Sequence, residues 1–289
     1  MKGAGWGKYA NYAPFWMRHD PMFQGKHGNT PAMKWIEHLQ IEPPEWMRHK
    51  PRIRNHRGDT LAMKWIEHVK TEPPGSFAPE NFVPEWMQHD PTLQNKEKKT
   101  IAMLWIVRVG TEPSEWMRHD PRIQNDDGYT LAMFWIRDVQ TEPPEWMRHD
   151  PALQSKYGDT LAMFWIVRVR TDPPEWMRHD PTIRDRDRYT PRNWIVRDRN
   201  TLAMLWIEYV KIEPPEWMRH DPTIRNRDGY TLAMLWIKFM GNNPPESFAP
   251  ENFVPEWMRH DPTIEDGYGR TLAMIWIRHV RRDLPEWMK

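Results

Sequence analysis

The chain of 289 residues has no cysteine, which excludes disulfides, thiolate catalysis and thiolate metal ligation. That absence favours a reducing compartment only weakly, because a cysteine-free chain folds in any. Charge of one sign is also missing. The 41 Lys and Arg stand against 40 Asp and Glu, a formal +1 with histidine neutral, so no global field draws the chain onto nucleic acid or an anionic membrane. No apolar run approaches the roughly 18 to 20 residues of a membrane-spanning helix, and the opening MKGAGWGKYANYAPFW lacks the apolar stretch of a secretory signal. The expectation is a soluble, unprocessed, cytoplasmic chain with no membrane association. Serine is scarce: Ser76, Ser114, Ser155 and Ser247 are the whole complement, none in a nucleophile-elbow pattern, and no glycine motif of the phosphate-cradling kind is present.

Two residue types are in excess, with 29 prolines and 19 tryptophans. A proline-rich chain of low mean hydropathy often fails to fold, but such chains are poor in aromatics. The tryptophans therefore argue for a folded protein.

Their placement is periodic. Blocks like TLAMFWI begin at Thr30, Thr60, Thr100, Thr130, Thr160, Thr201, Thr231 and Thr271, at spacings of 30, 40, 30, 30, 41, 30 and 40. Between them recur blocks like EPPEWMRHDP. A period of about 30 with three insertions belongs to repeat architectures and not to a catalytic domain. In TLAMFWIRDVQ, Leu131, Ala132, Met133, Trp135, Ile136 and Val139 share one broad face opposite Arg137 and Asp138. This pattern predicts a helix of about ten residues capped by Thr130. TEPP is expected to stop it, and Pro144 to open a second helix of little more than one turn over PEWMRH.

The following DPALQSKYGDT has turn chemistry. Gly28, Gly58, Gly128, Gly158, Gly229 and Gly269 lie two residues before each Thr, where a positive φ or close backbone approach is expected. Lys98 and Arg188 break that rule and should strain or remodel their turns. Helices this short are marginal alone, so neighbouring units must stack on one another through their Trp, Met and Ile.

At DDGYTLAMFWI and RDGYTLAMLWI the pattern resembles the opening of an ankyrin repeat, with Gly128 and Thr130 matching that family's glycine and threonine, and GNTPAM carrying its Thr-Pro pair. Met133 stands where the family usually has His, TEPPEW replaces its glycine-containing turn, and the unit is shorter. The resemblance implies an all-α solenoid of stacked short helix pairs that binds other proteins without chemistry of its own, hence with no cofactor and no enzymatic role. The expected organisation is one array over 1–289, with caps about 1–29 and 281–289 and insertions about 75–84, 190–200 and 246–255.

Three candidate sites compete. The His-Asp pair of RHDP offers nitrogen and oxygen ligands, but Lys50 follows His49 in one unit, and helix-end and turn structure accounts for both residues. A stripe of Arg18, Arg48, Arg118, Arg148, Arg178, Arg219 and Arg259 beside Trp rings suits stacked bases, the alternative reading as a nucleic-acid-binding protein. Against it, each of these Arg residues except Arg18 follows a Glu by three residues. Third, the units differ most at the two positions after Trp-Ile. A shared scaffold with varied exposed residues makes an extended surface for a protein or peptide ligand, anchored by Arg137, Arg168, Tyr209 and Phe239.

Overall fold

The computed structural model describes residues 20–69, 82–186, 199–241 and 249–289. Among these the regular elements are all helical, with no strand. The α-helices are α1 Pro31–Leu39, α2 Leu61–His68, α3 Ile101–Val109, α4 Leu131–Asp138, α5 Leu161–Arg168, α6 Leu202–Tyr209, α7 Leu232–Met240 and α8 Leu272–His279. A threonine opens each of them. Thr60, for instance, is extended at φ −83°, ψ 172°, and its hydroxyl oxygen accepts the Met63 N–H at 3.3 Å, a cap worth about 1 kcal/mol. Thr271 holds the same position without that bond.

The stop comes earlier than the prolines. Gln40, Gly110, Gln140, Arg170, Lys211 and Arg281 have φ of 56–73°, so a left-handed residue reverses the chain before the Pro pair is reached. TEPP redirects a helix already ended, and the first proline of the motif is buried at Pro43, Pro113, Pro143, Pro173 and Pro214. The second element is shorter than expected. Glu145–Met147 is a three-residue 3₁₀ turn, Pro144 flanks it at ψ 150°, and Arg148 is already extended. It keeps only the bonds Met147 N–H to Pro144 O and Arg148 N–H to Glu145 O, because the histidine two residues on is bonded elsewhere. Its packing contribution is one methionine, buried at Met47, Met87, Met117, Met147, Met177, Met218 and Met258.

The chain forms two compact units, Met1–Val139 with Pro143–Arg148, and Gln140–Glu142 with His149–Lys289. In the first, α1 packs on α2, α2 on α3 and α3 on α4; in the second, α5, α6, α7 and α8 stack in the same consecutive way. Each is a solenoid-like stack of helix pairs. Its core is the Ala-Met-Trp-Ile face: Ala62, Met63, Trp65 and Ile66 are buried, as are their counterparts up to α7. Each such side chain contributes roughly 1.5–3 kcal/mol on leaving water.

The turns stack as well. Asn55 Oδ1 accepts the Arg57 and Asp59 N–H groups, both at 2.9 Å, and the Lys96 N–H of the next turn donates to Arg57 O at 2.8 Å. This close approach explains the glycines. A Cβ on Gly58 (φ 79°) would sit 2.9 Å from Asn95 Cα, and one on Gly158 (φ 80°) 2.6 Å from Arg186 N. Lys98 occupies the same slot at φ 54°, a left-handed conformation without glycine's freedom. Arg199, two residues before Thr201, is left-handed as well at φ 57°, and Arg188 lies outside the described residues. Asp185 N–H donates to Asn200 O at 3.2 Å, as Asn55 does to Asp59, so this turn closes between residues 15 apart in place of 4. Residues 187–198, between these two partners, lie outside the described residues.

In the other two insertions the last residues are core. Phe82 and Val83 are buried, with the Phe82 ring 6.1 Å from Trp65 and 5.5 Å from Trp105, and Phe82 O accepts the Trp65 Nε1–H at 2.7 Å. Phe253 and Val254 repeat this, with Trp236 as the donor. Phe77 and Phe248 are outside the described residues, as are the cap residues 1–19.

Candidate interaction surface

The His of RHDP faces inward to the helix cap. His89 Nδ1 lies 2.7 Å from the Asp90 carbonyl oxygen, which can only accept, so Nδ1 carries the proton. Nε2, 2.8 Å from Thr60 Oγ1, then accepts the hydroxyl proton while that oxygen accepts Met63 N–H. Each imidazole is thereby a neutral link between the 3₁₀ turn and the helix cap. The same pair joins Thr100 to His119, Thr160 to His179, Thr201 to His220 and Thr231 to His260. Burial holds these histidines below the ordinary imidazole value, against the raising effect of the carbonyl bond.

The neighbouring carboxylate is engaged elsewhere. Asp90 Oδ1 accepts from the Thr92 N–H and hydroxyl, and Asp120 is lowered to about 2 by its bonds from Arg122. Thr30 and His49 make the same contact with Lys50 in the Asp position, so the link needs no acid. His and Asp are adjacent in sequence without forming an acid-base pair.

The Arg stripe is consumed by the second family of tryptophans. Trp86 Nε1–H donates to Glu42 Oε1 at 2.8 Å, Arg48 Nη2 donates to the same oxygen at 3.3 Å, and the guanidinium lies 5.2 Å from the Trp86 ring centre. The triangle recurs at Glu112, Arg118 and Trp146, at Asp172, Arg178 and Trp217, and at Glu213, Arg219 and Trp257. The partner of these Arg residues is the carboxylate six residues before, in place of the Glu three before that the sequence suggested. With a guanidinium over the ring, the Trp face is closed to a stacking base.

The varied positions remain at the surface. Val107 is 47% exposed, Arg168 is exposed, and Val167, Tyr209 and Phe239 are half-buried. Arg137 is the most committed of the sequence-predicted anchors. Its Nε and Nη2 bond both Asp138 oxygens at 2.9 and 2.7 Å, and its guanidinium lies 4.6 Å from the Phe134 ring centre. Arg168 lines a shallow cleft with Phe164, Val167 and Leu205, between α5 and α6. Lys238 Nζ lies 5.3 Å from the Phe239 ring centre. Arg168, Tyr209 and Phe239 belong to the second unit and Arg137 to the first. Sequence reasoning left Arg108 out of the anchors, although it directly follows Val107 at the same variable positions.

Among the described residues no three His, Asp or Glu side chains are grouped to hold a metal ion, and no helix is long and apolar enough to cross a membrane. No family model matches the sequence, and no curated protein matches it. Among solved structures it is similar to a chain of the predatory endopeptidase Bd0816 from Bdellovibrio bacteriovorus in complex with immunity protein Bd3460. There the identity is 13% and the TM-score 0.39, covering 58% of this chain and 84% of that one.

Proposed function

We propose that this chain is a non-enzymatic, protein-binding repeat scaffold of ankyrin-like design, presenting the inner-helix face to a protein or peptide. The observation that carries the reading is a division of labour along each repeat. From α2 to α7, Thr, Ala-Met and Trp-Ile are buried in the stack, and four 3₁₀ tryptophans, Trp86, Trp146, Trp217 and Trp257, are tied to it with their Arg and carboxylate partners. The two positions after Trp-Ile stay at the surface with differing chemistry, from Val107 and Arg108 to Lys238 and Phe239. The capping threonine after a left-handed glycine supports the ankyrin-like assignment, and the three-residue 3₁₀ turn in place of a full outer helix departs from it.

Protein is favoured over nucleic acid as ligand because Arg48, Arg118, Arg178 and Arg219 of the basic stripe are paired with carboxylates and folded over Trp rings. Arg168, Tyr209 and Phe239 are the anchors proposed for the second unit; Arg137, already paired, is the weakest of the four. Affinity capture with the intact chain and with a folded Arg168→Ala, Tyr209→Ala, Phe239→Ala variant tests this. Loss of a protein partner from the variant is expected. Equal recovery refutes the surface, and nuclease-sensitive recovery refutes the ligand class.

A further inference from the structure

A groove of about 250 Å³ opens between α2 and α3 on the inner-helix face of the first unit. Small-molecule sites typically span roughly 300–1,000 Å³, so this volume suits a side chain or two better than a cofactor. Its apolar part is Met63, Ile66, Leu104 and Val107, of which Met63 and Ile66 are buried, Leu104 is half-buried and Val107 is nearly half exposed.

The charges around it are balanced, with one exception. Buried Lys64 Nζ lies 2.6 Å from Glu67 and 3.6 Å from Asp59. Arg57 lies 3.8 Å from Asp59 and 4.0 Å from Glu67, and Lys99 Nζ 2.7 Å from Glu97. Arg108, at the same rim, has neither an ion pair nor a hydrogen bond among the described residues. The lining holds three cations, Arg57, Lys99 and Arg108, and three carboxylates, Asp59, Glu67 and Glu97. Because buried Lys64 also takes a share of Asp59 and Glu67, the Arg108 guanidinium is left beside the exposed valine without an ion pair among the described residues.

We infer that this groove is a peptide-docking site that takes an aliphatic side chain against Leu104 and Val107 and a neighbouring carboxylate on Arg108. The ligand class is an acidic-aliphatic segment of a partner protein. A planar guanidinium bonds a carboxylate with two parallel donors, which gives the site direction as well as charge selectivity. The inference rests on the protein-binding reading above and adds to it a location and a ligand chemistry.

The test is to pan a library of displayed random dodecapeptides against the full chain. Enriched peptides are then titrated by fluorescence anisotropy against the parent, Arg108→Glu, Val107→Asp and, in the exposed turn before α5, Lys156→Glu. The mutated side chains are exposed, and circular dichroism verifies folding. The expected result is enrichment of aliphatic residues next to Asp or Glu, with binding about tenfold weaker, roughly 1.4 kcal/mol, in Arg108→Glu and in Val107→Asp, and unchanged in Lys156→Glu. Peptides that enrich but bind the two α3 variants as well as the parent overturn the groove and leave the scaffold reading intact. Failure of any peptide to enrich overturns both.

Discussion

Two sets of tryptophans, equally regular in sequence, do opposite work. Those of the helices, such as Trp105, Trp165 and Trp206, are buried in the stack, whereas those of the 3₁₀ turns, such as Trp86 and Trp146, lie at its edge with an indole N–H on a carboxylate and an Arg over the ring. Periodicity alone marks a repeat contact and does not say whether apolar burial or polar linkage makes it. The helix tryptophan has apolar neighbours on both sides at helical spacing. The turn tryptophan follows a Glu within a three-residue element, so one face of that element must remain near water.

The comparison predicts unequal losses. Trp165→Ala empties a buried site and should cost about 3–5 kcal/mol. Because neighbouring units support one another, chemical denaturation should shift strongly and can split into two steps. An unchanged midpoint would remove this tryptophan from the core.

The polar edge, unlike the core, should respond to pH. His89, His119, His179, His220 and His260 have folded pKa values below the ordinary value of about 6.5. Between the folded value and about 6.5 the unfolded chain binds more protons, so stability rises with pH across that window. The stabilisation is full above the unfolded pKa and is lost as pH falls through the folded one. Urea midpoints should therefore fall steadily from about pH 7.5 to about pH 5.5, a range in which the depressed carboxylates stay ionised. His179→Gln should flatten part of the slope. A midpoint independent of pH would contradict the neutral Thr-His link.

Trp146→Phe tests the edge alone. It keeps a ring beneath Arg118 and removes the donor to Glu112, so the expected cost is about 0.5–1.5 kcal/mol. In a double-mutant cycle with Arg118→Ala, residual coupling measures the ring-guanidinium contact. A cost equal to that of Trp165→Ala would erase the distinction between the two sets.

Much of this organisation was legible before the structure. Repeat length, capping Thr, left-handed Gly and stacked inner helices all follow from local rules that act within a few residues. The missed features join residues far apart. The Thr60–His89 bond spans 29 positions, and Trp86 finds Glu42 across 44. Arg48 reads as paired with Glu45 until stacking brings Trp86 beneath it, because only the fold chooses between two carboxylates on the same edge. Phe82 and Phe253 make the same point, for the last residues of an insertion pack against the helix tryptophans on either side. At the candidate surface, Val107 and the varied positions were visible in the alignment of repeats. That Arg137 is already paired, while Arg108 stands free of ion pairs among the described residues, was not.

The turn layer offers the smallest and most specific test. Gly58 and Lys98 occupy equivalent slots at φ 79° and 54°, and each closes its turn through an N–H bond to an asparagine carbonyl. A non-glycine residue in the left-handed region costs roughly 1–2 kcal/mol, partly offset because glycine has more freedom to lose on folding. Lys98→Gly should therefore stabilise by about 0.5–1 kcal/mol. The forfeited Lys98–Asp126 pair, 3.4 Å apart and exposed, takes back little. Gly58→Ala should do the reverse and by more, since its Cβ would meet Asn95 Cα at 2.9 Å as well as a forbidden φ. Thermal melts of the two variants should move in opposite directions, the first upward by about 2 °C. If Lys98→Gly instead lowers the midpoint, the lysine is anchored by contacts that outweigh its backbone strain, and the equivalence of the two slots fails.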